Sequence, residues 1–371
     1  MKTVRRLLYS EIVRAVVFVA LAFLSLFFFF DFVAELAKAN EKGYTAAHAA
    51  LYSLLFVPGH LYELVPIAVL IGAIYALASL AQSSEFTILR TGGLGPGRAL
   101  AALGGLGVAF ALFTFVLGDY VAPLSETQAA TFKAAFRGSF KLERAGAWLK
   151  DRRMTAEGER SYSINVASAT RRGVLNGVRI FEFDADGRLV RRLAAETAQV
   201  GKDGIWHLSK AAVTDWAGAV ADEPQARVPA AEVADLAWQS TLRADVVAAA
   251  LLPLSTMSTV DLFRYVRHLE ENEQASQRQE IQFWMRALYP FACLVMLALA
   301  LPFAYMHGRS GGISLKVFGG IMLGISFVLL NNVASHVGLL GNWTPWVVAS
   351  APSALYLLLS MAAFSWLVRY R

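Results

Sequence analysis

Residues 15–36 read AVVFVALAFLSLFFFFDFVAEL, and this stretch decides how the rest of the chain must be understood. Ser25 is the one polar side chain before Asp31, where the first charge appears. About 20 consecutive apolar residues is the length an α-helix needs to cross the hydrocarbon core of a bilayer. The run is too long for the apolar part of a cleaved secretion signal, and no small-residue cleavage site follows it. It is therefore expected to be a retained span, with Met1 belonging to the mature protein.

Five further runs of similar character follow, at about 54–81 (interrupted by Pro58 and Pro66), 99–121, 283–305, 317–337 and 346–367. The expectation is six transmembrane helices in two groups of three. Composition agrees: 56% hydrophobic and 17% charged residues, with a mean hydropathy of +0.48, depart from an average soluble protein, so the apolar excess must face lipid. The formal net charge of +6 does not point to nucleic acid, because many Lys and Arg sit at the ends of apolar runs instead of clustering on a soluble surface. The single cysteine, Cys293, lies inside an apolar stretch and excludes both a disulfide framework and a cysteine-based metal site.

Lys and Arg in the short connections set the orientation. Lys2, Arg5, Arg6 and Arg14 precede the first run, Arg90 and Arg98 follow the second, Arg309 and Lys316 follow the fourth, and Arg369 and Arg371 end the chain. The opposite connections are poorer: Lys38 and Lys42 are balanced by Asp31, Glu35 and Glu41, and 336–345 holds neither Lys nor Arg. Both termini are expected in the cytoplasm and the large insertion outside it. The chain then divides into transmembrane helices one to three over 1–122, with a cytoplasmic helix at about 82–93, an external domain over 123–257, a connecting helix over 258–280, and helices four to six over 281–371.

Within the insertion the apolar period is two. Strands are expected at 148–153, 161–169, 177–183, 188–200, 205–216 and 226–238, with Asp184-Ala185-Asp186-Gly187 as a turn. That makes an all-β domain, a small sandwich or jelly roll, able to bury its own core. The period then changes: Ser258 or Thr259 can cap a helix whose Val260, Phe263, Val266 and Leu269 share a face.

Three polar constellations stand out. In the loop after the second run, Ser84 can cap a short helix, Glu85 complements its positive end, Arg90 lies near its close, and Gly92 or Gly93 can terminate it. This is either a capped connector or a coupling helix that docks on a cytoplasmic motor through Glu85 and Arg90. At the end of the first run Asp31, Glu35 and Lys38 share a helix face, which reads either as a solvated helix end or as a site for an anionic amphiphile with Lys38 on its phosphate or carboxylate. Asn331 and Asn332 inside the fifth run are expected to bond between helices, and Glu63 and Asp119 should lie near the outer interface. There is no GxxxxGK[ST] loop, HExxH or CxxC, and the six histidines are scattered. No cofactor is expected in this chain, and any ATP-derived energy must come from a partner.

The chain resembles, over essentially its full length, the LptF/LptG (YjgP/YjgQ) permeases of the lipopolysaccharide-export ABC transporter, and the LptG branch more than the LptF branch. The residues that carry the likeness are Ser84-Glu85 with Gly93, Val121-Ala122-Pro123 closing the third span, Phe32-Val33 with Leu36 and Lys38 leaving the first, and the segment 281–302, which begins Ile-Gln-Phe-Trp-Met-Arg and contains Tyr289-Pro290. The resemblance implies a permease in the bacterial inner membrane that extracts lipopolysaccharide and passes it to a bridge toward the outer membrane. It also implies a heterodimer with an LptF-like permease, an LptB-like ATPase dimer docking on Glu85 and its helix, and a periplasmic jelly roll that joins LptC and LptA. Spans one and five would form lateral gates. Lys38 and Lys133 match positions where the family places basic residues near the lipid's phosphates, whereas Asp31 and Ala37 stand where relatives can carry Lys. The alternatives are the paralogous LptF subunit and a membrane enzyme acting on envelope lipids. The enzyme would need carboxylates or histidines converging at one interface, where only Glu63 and Asp119 are apparent.

Overall fold

A computed structural model of the chain describes residues 2–37, 44–93, 95–137, 147–155, 158–169, 174–201, 204–216, 230–240, 242, 247, 257–271, 276–305 and 312–369. They form two compact units. One comprises Met1–Ala129 with Gln277–Arg371, and the other Ala130–Ser276.

The first unit is helical. In chain order it contains α1 (Lys2–Leu36), α2 (Ala46–Gln82), α3 (Glu85–Thr91), α4 (Pro96–Val116), a π-helical turn (Leu117–Val121), the start of α5 (Ala122–Arg137), α7 (Gln277–Leu288), a 3-10 turn (Tyr289–Phe291), α8 (Ala292–Tyr305), α9 (Ile313–Leu340) and α10 (Pro345–Arg369). Six stretches are long and apolar enough to cross a membrane: Val4–Leu36, Ala46–Gln82, Gly97–Lys133, Gln277–Tyr305, Ile313–Leu340 and Pro345–Trp366. The fourth breaks at Pro290, whose ring and missing N–H interrupt the ladder between α7 and α8.

The apolar cluster of this unit is built on α2, whose Val69, Leu70, Ala73, Ile74 and Leu77 are fully buried or nearly so. α1, α8 and α9 pack against it. Small residues set the spacing: a Cβ on Gly72 would come 2.6 Å from the backbone nitrogen of Val16, and one on Gly320 would come 2.7 Å from Ile74. Gly320 and Gly324 are thus a small-xxx-small pair spent on α2 inside the chain. The asparagines of α9 do not bridge helices: Asn331 donates to Phe327 of its own helix at 3.1 Å and Asn332 is exposed. Asn331 continues the stripe of Gly320, Gly324 and Phe327 and is partly buried, while Asn332 belongs to the exposed side of α9.

The second unit carries a six-stranded antiparallel sheet: β1 (Ala147–Thr155), β2 (Gly158–Ala169), β3 (Val174–Phe183), β4 (Leu189–Val200), β5 (Ile205–Asp215) and β6 (Ala230–Gln239), paired in sequence order. The strand order, which period-two alternation cannot supply, is thus an unbroken meander. Alternate residues point inward, and Ile164, Val166, Val178, Ile180, Leu193, Trp206 and Leu208 make the core. Between β3 and β4 the Asp184 carboxylate accepts the backbone N–H of Asp186 at 3.0 Å and of Arg188 at 2.8 Å, and Gly187 takes φ +77°, as the sequence of the turn demands. The sheet curls until its edges meet. Ser240, just past β6, donates to the fully buried Asp151 of β1 at 2.9 Å. Trp238 of β6 packs edge-on to Tyr162 of β2, and the Arg153 guanidinium lies 4.2 Å from the Tyr162 ring and 4.7 Å from that of Trp238.

In the same unit α6 (Thr259–Glu271) is capped by Ser258, whose hydroxyl accepts the Asp261 N–H at 3.1 Å. Its buried face is Leu262, Val266 and Leu269, while Val260 and Phe263 are about half exposed. This corrects the expected face by part of a turn, because the helix offers apolar residues on two adjacent stripes and the i, i+4, i+7 stripe is the one that docks.

Candidate functional site

α2 ends and α3 begins within two residues. Ser83 donates its N–H to the Ser79 carbonyl at 2.9 Å, Ser84 to Ala81 at 3.3 Å, and the Ser84 carbonyl then accepts Ile88 as the first bond of α3. Ser84 has φ +64°, a left-handed conformation that costs a non-glycine residue about 1 kcal/mol. A side-chain cap needs extended backbone at the capping residue. Ser84 therefore joins the helices through its backbone, and the expected hydroxyl cap does not form. Gly92 closes α3 onto Ile88 at 2.9 Å, and Gly93, at φ +100°, accepts Arg98 on its carbonyl at 3.0 Å. Arg90 lies on α3, near its end.

α3 has two distinct faces. Phe86 is buried and meets Tyr305 at the end of α8 edge-on, ring centroids 5.3 Å apart. Tyr305 meets Phe364 of α10 in the same way at 5.6 Å, and Leu89 packs against the same cluster. On the other face Glu85 and Ile88 are exposed. Glu85 makes no side-chain hydrogen bond or ion pair among the described residues. Sequence reasoning singled out Glu85 as a candidate and passed over Phe86, whose signal was its place directly after the acid and three residues before Leu89, the spacing of an inward stripe.

At the opposite end of the bundle the structure gathers more ionisable groups than the sequence suggested. Asp31 of α1 pairs with His60 of α2 at 2.6 Å, and Phe27 stacks on the His60 ring with centroids 5.0 Å apart. Glu35 is buried. These acids are drawn into the helix bundle, and of that face Lys38 lies outside the described residues. Asp119 is buried in the π turn. Within that turn Ala122 donates to Leu117 and Pro123 has no N–H, which leaves the Gly118 carbonyl without a ladder partner. Arg286 of α7 fills the vacancy, donating to Gly118 at 2.6 Å with its guanidinium 5.6 Å from the Tyr62 ring. Tyr62 packs on Tyr289, and Tyr289 donates to the Glu63 carbonyl at 2.6 Å. The set joins the first four spans, and its described contacts, the Asp31–His60 hydrogen bond, ring packing and side-chain bonds to backbone carbonyls, hold helices together. Among the described residues no group of three or more His, Cys, Asp or Glu is placed to hold a metal. Lys133 is half-buried on α5, in the second unit.

A bundle with six stretches long and apolar enough to cross a membrane, a short helix joined to the end of α2 and an inserted antiparallel sheet defines a multi-pass membrane protein. The family model described as "Lipopolysaccharide export system permease LptF/LptG" matches residues 6–368, and the chain belongs to that family. It is 27% identical over 333 residues, 89% of each chain, to "Lipopolysaccharide export system permease protein LptG" of Escherichia coli K12. It is 24% identical over 360 residues, 96% of each chain, to the protein of the same name from Haemophilus influenzae.

Proposed function

We propose that this chain is the LptG-type subunit of a lipopolysaccharide exporter in the bacterial inner membrane, with both termini cytoplasmic and the β unit periplasmic. It works beside an LptF-like permease and is driven by an LptB-like ATPase dimer. The observation that carries the reading is α3: an exposed acid on a helix whose other face is locked by Phe86 and Tyr305 to α8 and α10 is a rigid handle for a motor from outside the chain. Glu85, with Arg90, is the polar contact to that motor, while Ser84 and Gly93 fix where the helix starts and stops. Similarity to proteins named LptG favours this reading over the LptF-type one. A second permease is supported by α9, which turns Leu315, Phe318, Met322, Ile325, Leu329 and Val333 outward beside Asn332. Lys38 and Lys133 are the proposed contacts to lipid phosphate, and the curled sheet is the proposed attachment for LptC and LptA.

Purification of the chain from its native membrane in mild detergent, with mass spectrometry of what accompanies it, tests the assignment. Recovery of a second six-span permease, a small ATPase and lipopolysaccharide is expected, and an unaccompanied chain overturns it. Within a recovered complex, Glu85→Lys is expected to abolish lipid-stimulated ATP hydrolysis and export without shifting the thermal midpoint. Normal export by that variant removes Glu85 from the coupling site.

A further inference from the structure

We propose that the N-terminal extension of α1 forms a binding site for an anionic glycerophospholipid of the leaflet on the α3 side, separate from the path of the exported lipid. α1 is 35 residues long, about 52 Å, whereas a hydrocarbon core of about 30 Å needs about 20 of them. With the apolar run at 15–36 spanning, residues 2–14 project beyond the core. They do not project freely. Leu8 and Ile12 are fully buried, and the Tyr9 hydroxyl donates to the Ala102 carbonyl at 2.7 Å. Gly72 touches Val16 where α1 and α2 run antiparallel, so Arg5 and Arg6 lie about 16 Å farther along, level with the end of α2.

On this pinned extension Arg5, Arg6, Tyr9, Ser10 and Val13 line an open cavity of about 560 Å³. The charges are unequal in availability: Arg14 is paired with Glu11 at 3.1 Å, whereas Arg5 and Arg6 are exposed and have no ion pair among the described residues. Below them Val13, Val17 and Leu21 follow at four-residue intervals, all exposed, an apolar track on one helix face that leads from the cavity toward the middle of the bilayer. Two available guanidiniums above an apolar track match a phosphodiester headgroup with acyl chains beneath it, since guanidinium binds phosphate oxygens in a bidentate fork. A free phosphate would use the arginines and ignore the track, and a docked soluble protein would not require Val13 and Val17.

Native mass spectrometry of the purified full complex, titrated with phosphatidylglycerol and separately with phosphatidylethanolamine, tests the site. In detergent solution the result does not depend on which way the chain crosses the membrane, so it can fail while the transporter reading stands. Phosphatidylglycerol retention is expected to weaken about thirtyfold in Arg5→Ala/Arg6→Ala and to be unchanged in Arg14→Ala. Val13→Trp puts bulk at the foot of the open groove while leaving every charge in place. It is expected to weaken retention as well, and decides the matter if loss of both arginines disturbs membrane insertion. Equal retention of the two lipids by the native complex, or native-like retention by Val13→Trp, overturns the proposal. So does loss of the ATPase from the double variant with its lipid retained, which would assign the arginines to a protein partner.

Discussion

α1 and α2 are both long apolar helices, yet the most apolar window of α2 is 78% buried inside the chain while that of α1 is 11% buried. Apolarity alone does not distinguish a helix that forms the core from one that faces outward. The difference lies in residue size and placement. α2 presents Ala68, Gly72, Ala73 and Ala76 among its larger residues, so neighbouring backbones can approach it. α1 carries Phe18, Phe29 and Phe30 on surfaces left largely exposed among the described residues. Between lipid tails and apolar side chains there is no hydrophobic preference to exploit, which makes close packing at small residues the main discriminating force.

Closing that approach is the severest way to break the comparison. Gly72→Leu places a branched side chain against the backbone of α1 at Val16, which cannot yield as a side-chain end would. Destabilisation of about 3 kcal/mol or more is expected, read as loss of monodisperse protein in mild detergent or a collapsed thermal midpoint. Gly319→Ala, beside a glycine of the α2 contact but with nothing within 4 Å of the new methyl, should leave the midpoint unchanged or raise it slightly. If the two variants behave alike, close packing at Gly72 is not what seats α1.

Phe86→Ala is expected to come next, at about 3 kcal/mol, because it removes a buried ring from the column that continues through Tyr305 to Phe364. The thermal midpoint of the purified chain reads it. Paired with Glu85→Lys one residue away, it separates the inner face of α3, which stabilises, from the outer face, which couples.

The six spans were legible because about 20 apolar residues admit few other readings, and five of the six strands lie within three residues of the expected bounds at each end because one face of the sheet is solvated and the alternation survives. What the sequence hid was pairing in space. Asp31 and His60 are 29 residues apart, and Arg286 and Gly118 are 168 apart; neither pairing could be read from the sequence because each partner belongs to another helix. The role of Pro123 was visible only once the π turn showed a carbonyl it could not serve. Ser84 was placed correctly at the junction, but its left-handed backbone, which a serine does not advertise, changed how it acts.

The β unit sharpens the comparison, because its charges must be satisfied within a water-exposed fold. Arg153 lies between the Tyr162 and Trp238 rings and 3.4 Å from the fully buried Asp151 carboxylate. Arg153→Ala removes two cation–π contacts and takes a counter-charge from the buried Asp151 carboxylate, which keeps the Ser240 hydroxyl as a donor. A loss of about 2 kcal/mol is expected, seen as faster hydrogen exchange across β1 and β6 with the helical unit unaffected. An unchanged edge would mean that the apolar core alone curls the sheet.

The smallest expected effect is a pH dependence confined to α6. His268 is held below the ordinary histidine pKa chiefly by burial, against the opposing pull of Asp151, a hydrogen bond to the backbone of Lys150, and Glu271. Its neighbour Arg267 pairs with Glu271 at 3.0 Å, which weakens one of those opposing charges. A base whose folded pKa is depressed binds more protons when unfolded, so its share of stability is present in full above the unfolded value near pH 6.5 and is lost as pH falls from there toward the folded pKa. Protection of α6 amides, measured by hydrogen exchange in the full chain and corrected for intrinsic rates, should therefore decline between pH 7 and pH 5. In His268→Gln, which keeps a polar group without a titration in that window, the decline should be smaller. An identical decline in both would place the pH response elsewhere and leave His268 as a packed side chain whose proton does not matter.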